Sequence, residues 1–122
     1  MILADTTVWV DHFRSGDKKL AEHLGAGAIV MHPFVIGEIA LGHLNPRGTI
    51  LHMLAQLPGI TAVTDSEALA YIDQRKLIGR GVGYIDVHLL AAVQLTPGTG
   101  LWTRDKRLRA VAEELGLAMG LR

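Results

Sequence analysis

Apolar residues fall into two patterns along the chain, and the two alternate: short unbroken runs, and longer stretches in which they recur every three or four positions. The run MILAD is apolar until an acid closes it, which suits a buried strand of a parallel sheet. AIVM, ITAV and GLWT repeat that pattern further on, and LAM near the end suits a strand stub. Helices are predicted between them. TTVWVDHFRSG offers threonines as caps, apolar Val8, Trp9 and Phe13, and a stop at Ser15 and Gly16. DKKLAEHLGAG starts at Asp17 and ends in glycine, while His32 and Pro33 open PFVIGEIALGHL with proline at the first helical position. TILHMLAQL runs to Pro58 and Gly59. DSEALAYIDQRKLIGRG starts from an approximate capping box at Asp65 and ends in glycines. YIDVHLLAAVQLT is apolar almost throughout, and RDKRLRAVAEELG is the last full helix.

Short apolar strands alternating with helices predict an α/β sandwich with a mostly parallel sheet. Such sheets gather their ligands beyond the carboxyl ends of the strands. Asp5 follows the first strand and Asp105 follows GLWT, so both belong at that edge.

Composition narrows the function classes. A chain of 122 residues is one domain, long enough for its own core. It has no cysteine, which excludes disulfide scaffolds and thiolate metal sites and fits a reducing cytoplasm. Its 12 Lys and Arg balance 12 Asp and Glu, so any nucleic-acid footprint must be local. No apolar run reaches the roughly 18 residues of a membrane span, and no basic-then-apolar leader opens the chain. A cytoplasmic protein with no membrane partner is expected.

Four acids sit where solvation alone does not account for them. Asp5 closes a buried strand. Glu38 lies inside an apolar helix, with Phe34 at i−4 and Leu41 at i+3. Asp86 interrupts GYIDVHLLAA, and Asp105 is wedged between Arg104 and Lys106 in LWTRDKRL. Taken singly, Asp5, Asp86 and Asp105 each fit a helix N-cap. A glutamate on an apolar stripe, if buried, needs a partner or a cation. Should the four converge, each raises the others' pKa unless a cation neutralises them. An all-oxygen cluster selects a hard divalent ion, Mg²⁺ or Mn²⁺, and such ions promote phosphodiester hydrolysis. Arg104, Lys106, Arg107 and Arg109 then stand where substrate phosphates would lie; the bland alternative is a solvated helix face.

Other chemistries lack their residues. The six histidines give no HExxH and no i, i+4 pair, which speaks against zinc. His88, two residues from Asp86, falls on a different helix face; His12, His23, His43 and His52 suit polar faces. GRGVG and TPGTG lack the spacing of a nucleotide cradle. Trp9 and Trp102 sit in apolar runs and suit the core.

Taken together, ADTTVWVDHFR, HPFVIGEIALG, GYIDVHLLAA and LWTRDKRL resemble a PIN-domain ribonuclease of the VapC toxin type, in the right order over nearly the whole chain. The resemblance implies a PIN-like three-layer sandwich over residues 1–122, with a mostly parallel central sheet of four to five strands flanked by helices. It carries the acidic catalytic set onto Asp5, Glu38, Asp86 and Asp105, with Asp5, Asp86 and Asp105 as ligands of Mg²⁺ or Mn²⁺. Thr6 and Thr103 match hydroxyl residues that orient water or phosphate, and Arg104 and Lys106 would meet the substrate. Tyr84 stands where a tryptophan is frequent, an exchange between large aromatics that should leave the site alone. The implied activity is metal-dependent endoribonucleolysis by the toxin of a toxin–antitoxin pair. The implied partners are a VapB-like antitoxin, a second copy of the chain, and structured RNA, often transfer RNA. Two alternatives share the fold: a PIN-like nuclease of nucleic-acid maturation, and a non-catalytic RNA- or protein-binding module.

Overall fold

A computed structural model gives the architecture and describes residues 1–120, so the last two residues of the expected 1–122 domain lie outside the described residues. Three strands, β1 (Ile2–Ala4), β2 (Ile29–Val30) and β3 (Gly100–Trp102), form a parallel sheet in the order β2-β1-β3. In the central strand Leu3 pairs with Val30 on one side and with Leu101 on the other. All three strands are fully buried, which is why each appears in the sequence as an unbroken apolar run rather than an alternating one. Seven helices flank the sheet among the described residues: α1 (Thr6–Ser15), α2 (Lys18–Gly25), α3 (Pro33–Ala40), α4 (Arg47–Gln56), α5 (Asp65–Gln74), α6 (Tyr84–Gln94) and α7 (Lys106–Glu114).

The predicted sheet has four to five strands; the described residues form three, and the other two are reduced to single bridges. ITAV does not form a strand. Met31 bridges Gly59 in parallel, its N–H donating to Pro58 O (2.8 Å) and its carbonyl accepting from Ile60 N–H (2.9 Å). The ladder stops there because β2 has no more residues to offer: His32 caps α3 and Pro33 begins it. The LAM stub contributes one bridge, Ala118 to Leu101, on the far side of β3.

Asp5 is the cap of α1, as its position allows, with its carboxylate accepting from Thr7 N–H (3.0 Å); the threonines after it do not cap the helix. The cap of α5 is Thr64, one residue before Asp65, with a reciprocal box to Glu67 (3.1 and 2.9 Å).

Trp9 and Trp102 are fully buried, as their apolar runs predict. Every residue of α6 from Val87 to Val93 is buried, the signature of a helix enclosed on all sides. It packs against α5 and β3, and so holds Asp86 at a fixed height above the sheet edge. Among the described residues no helix is long and apolar enough to cross a membrane. Gly81, in the GRGVG loop, has φ +80°, and a Cβ there would come within 2.7 Å of Arg107 Cδ, so this loop is shaped to let the arginine lie across it.

Candidate active site

Strand order reverses direction of travel at β1: the chain leaves toward β2 and returns on the other side at β3. The crevice at such a switch point is where open parallel sheets place their ligands. Asp5 follows β1 there, and Thr103 to Asp105 follow β3. A hollow of about 260 Å³ opens at this edge, and Asp5, Thr6, Glu38, Asp86 and Asp105 all line it, with Thr7 and Leu89. The four acids singled out from the sequence therefore share one site.

Capping and clustering turn out to be compatible. Asp5, 4% exposed, spends one oxygen on Thr7 N–H and the Thr7 hydroxyl, and the other on the Thr103 hydroxyl (2.6 Å). Asp105 caps α7 through Oδ1, which accepts from Leu108 N–H (2.9 Å). Asp86 accepts from Gly83 N–H through Oδ2 (3.0 Å). Glu38 is exposed, so it does not need the partner a buried glutamate would; its Oε1 accepts from the Thr6 hydroxyl (3.2 Å). Each acid is thus oriented by its own helix end or by a threonine.

Electrostatics show that the charges feel one another. Burial raises the pKa of Asp86; the Gly83 N–H opposes this, and the charges of Asp5, Asp105 and Glu38 add to it. Asp5 is raised by burial, against the pull of hydrogen bonds from Thr103, Thr7 and Val8. Among the described residues no lysine or arginine lines the hollow. All-oxygen donors of this kind would suit a hard cation. No three acidic or histidine side chains among the described residues already stand as a ligand shell.

Comparison with known proteins gives the family. The profile of the PIN domain family matches residues 2–114. The chain belongs to the PIN-domain family. It is 46% identical over 119 residues to Ribonuclease VapC32 of Mycobacterium tuberculosis, in two strains, covering 98% of this chain and 96% of the relative. This PIN domain is therefore of the VapC type. A crystal structure of PAE2754 from Pyrobaculum aerophilum shares the fold at 18% identity, with a TM-score of 0.60 over 93% of this chain and 92% of that one.

In this PIN domain Arg104 does not face the hollow as the sequence suggests. Its guanidinium donates to Asp11 (2.7 Å) and to Asp17, and lies 5.4 Å from the Trp102 ring centroid. Burial pushes the Asp17 pKa up, but the Arg104 hydrogen bond, the Leu20 N–H and the arginine's charge outweigh it and lower it. Lys106 is exposed at the start of α7, next to Asp105. The residue that sequence reasoning missed is Thr7. Its hydroxyl donates to Asp5 and accepts from Arg104 N–H (3.0 Å), joining β1 to the β3 loop. Its one signal in the sequence is the doubled threonine after Asp5.

Two histidines are buried, whereas His12 and His23 are partly exposed and His43 and His52 exposed. His32, fully buried, caps α3 by accepting Phe34 N–H at Nδ1 (3.0 Å), and His88 Nε2 lies 3.2 Å from Asp65 Oδ1. Burial, then the neighbouring His88, pushes His32 down to about 4 from 6.5. A base with a lowered folded pKa binds fewer protons than the unfolded chain between those values, so stability falls as pH drops from 6.5 to about 4. The whole window corresponds to about 3 kcal/mol. Asparagine keeps the cap and cannot protonate. Melting temperatures of His32→Asn are therefore expected to fall less over this window than those of the wild type; parallel curves would remove His32 as the cause.

Proposed function

We propose that this PIN domain is a metal-dependent endoribonuclease and the cytoplasmic toxin of a toxin–antitoxin pair. The observation that carries the reading is the hollow at the sheet's switch point, ringed by Asp5, Glu38, Asp86 and Asp105, in a chain that matches a named ribonuclease from end to end. Asp5, Asp86 and Asp105 would hold Mg²⁺ or Mn²⁺, which supplies Lewis acidity and neutralises charge on the phosphodiester. Glu38, exposed and lining the hollow, would take a proton from an attacking water. Thr6 fixes Glu38, and Thr103 fixes Asp5 while accepting Asp105 N–H (3.0 Å). Lys106 meets a substrate phosphate; Arg104 acts as a positioning residue for the loop that carries Asp105.

The test is cleavage of a defined RNA, with transfer RNA among the substrates. Cleavage is expected with Mg²⁺ or Mn²⁺, none with excess chelator, and full recovery on adding the ion back. Attack by water leaves no 2′,3′-cyclic phosphate. Undiminished cleavage in chelator would overturn the reading.

For a VapB-like antitoxin, an apolar groove of about 280 Å³ joins the site through Glu38, with Val10, Phe13, Ile39 and Leu44 in its walls and Arg14 and His43 among its polar lining. An amphipathic segment laid along α1 and the end of α3 would fill it and bring a basic side chain to the acids. Phe13 lines this groove and Phe34 does not, so the aromatic contact proposed for the segment is with Phe13. A homodimer completes the proposed assembly. Replacing the antitoxin's basic residue with alanine should restore cleavage more than it weakens the complex.

A further inference from the structure

Beside the acidic hollow, the same sheet edge carries a group of aromatic rings that the chemistry above does not use. His32 follows β2 as Asp5 follows β1, and neighbouring strands lie about 4.8 Å apart. Phe34 is the second residue of α3, one helical turn before Glu38 and on its face. Tyr84 is the first residue of α6, two before Asp86. Phe34 is 38% exposed and Tyr84 42%, yet neither ring is loose. Both pack on the buried His88, at centroid distances of 4.8 and 4.7 Å and steep angles of 69° and 88°. His32 supports Phe34 from 5.1 Å. The Tyr84 hydroxyl donates to Asp65 Oδ1 (2.7 Å), the same oxygen that His88 Nε2 meets.

Two rings held rigidly with much of their surface in water gain nothing for the core from that exposure. They offer π surface on α3 and α6, the two helices that also carry Glu38 and Asp86 to the hollow. We propose that Phe34 and Tyr84 form a base-stacking subsite for an unpaired nucleobase next to the scissile phosphate, and so help to set where this chain cuts. The proposal rests on the ribonuclease reading. Stacking on aromatic side chains requires a base splayed out of a helix, so the preferred substrate is a loop or single strand. With the Tyr84 hydroxyl already committed to Asp65, selection among bases follows stacking strength and favours a purine, which has the larger face.

The test compares Phe34→Leu, Phe34→Trp, Tyr84→Leu and Tyr84→Phe, all free of antitoxin and checked for wild-type melting temperature. Leucine keeps apolar bulk but has no π face, so each leucine variant should raise KM for a single-stranded RNA oligonucleotide by roughly 5- to 100-fold and flatten its base preference at one position. Tryptophan at 34 and phenylalanine at 84 should retain both. An independent arm uses the Asp86→Asn protein and oligonucleotides carrying 2-aminopurine at successive positions. Fluorescence should be quenched at one position, and the leucine substitutions should abolish the quenching. Unchanged KM, base preference and quenching in the double leucine variant would overturn the subsite. A wild type that cleaves no RNA overturns the ribonuclease reading instead, and the quenching arm then decides the subsite separately.

Discussion

Asp86→Asn is expected to lower RNA cleavage roughly a thousandfold or more, the scale on which single members of an interdependent catalytic set are lost, while leaving the metal-free protein as stable as the wild type or more so. Asparagine retains an oxygen for Gly83 N–H, so the bond that orients the side chain survives. What disappears is a charge that burial disfavours and that Asp5, Asp105 and Glu38 repel. An acid whose folded pKa is raised binds more protons folded than unfolded between 3.8 and its raised value. Its penalty is in full force above that window and vanishes as pH falls through it. The variant's advantage in melting temperature should therefore be largest near neutral pH and close on acidification toward 3.8. Calorimetry in chelator measures this directly. Mg²⁺ should then raise the wild type's melting temperature more than the variant's; a ligand at a hundred times its Kd contributes about 2.7 kcal/mol. A variant that melts well below the wild type in chelator would make Asp86 a helix cap and nothing more. Asp5→Asn is the less clean experiment, because both Asp5 oxygens already accept hydroxyl or amide protons and one would become an amide donor.

The second large effect belongs to Arg104. Arg104→Ala should destabilise the fold by about 2 to 3 kcal/mol, the range for charge-assisted hydrogen bonds in a half-buried network. For a domain of this size that lowers the melting temperature by on the order of 10 °C. Asp17, only 13% exposed, would lose its counter-charge, and the ring of Trp102 its cationic cover. Lysine should not rescue it, since a single ammonium cannot span Asp11 and Asp17 as a planar guanidinium does. Lys106→Ala should behave in the opposite way: a change within about 0.5 kcal/mol in stability, and a raised KM for RNA that falls further with salt. If Arg104→Ala melts normally and only weakens RNA binding, the arginine serves the substrate after all.

The acids were legible because each broke a local pattern: Asp5 and Asp86 in apolar surroundings, Glu38 on an apolar stripe, Asp105 among bases. Parallel topology did the rest, since residues that follow parallel strands end at one edge. Arg104 was not legible. Its partners lie 87 and 93 residues away, at the cap of α2 and within α1, and no spacing along the chain encodes that meeting. Thr7 and the buried pair His32 and His88 escaped for a related reason: a hydroxyl or imidazole shows its role only once its neighbours are placed. ITAV looks like a strand because Ile60 and Val63 are buried, but its partner strand ends as soon as His32 turns the chain into α3.

The single bridges on either side of the sheet have a consequence for self-association. A three-stranded parallel sheet has two open flanks, each a row of backbone groups that could template pairing with another chain. Here the segment at Pro58 to Ile60 shields β2, and Leu117 to Met119 shield β3 through Leu101 N–H to Leu117 O (2.7 Å) and Met119 N–H to Leu101 O (2.8 Å). Gly100 lacks a side chain where the Met119 thioether lies against it, since a Cβ there would sit 2.3 Å from the sulfur. Residues 117–119 are thus an aggregation guard. Cutting the chain after Gly116 would strip β3 bare while leaving all four acids in place, and the product should remain chemically equipped yet cohere into oligomers through its exposed strand.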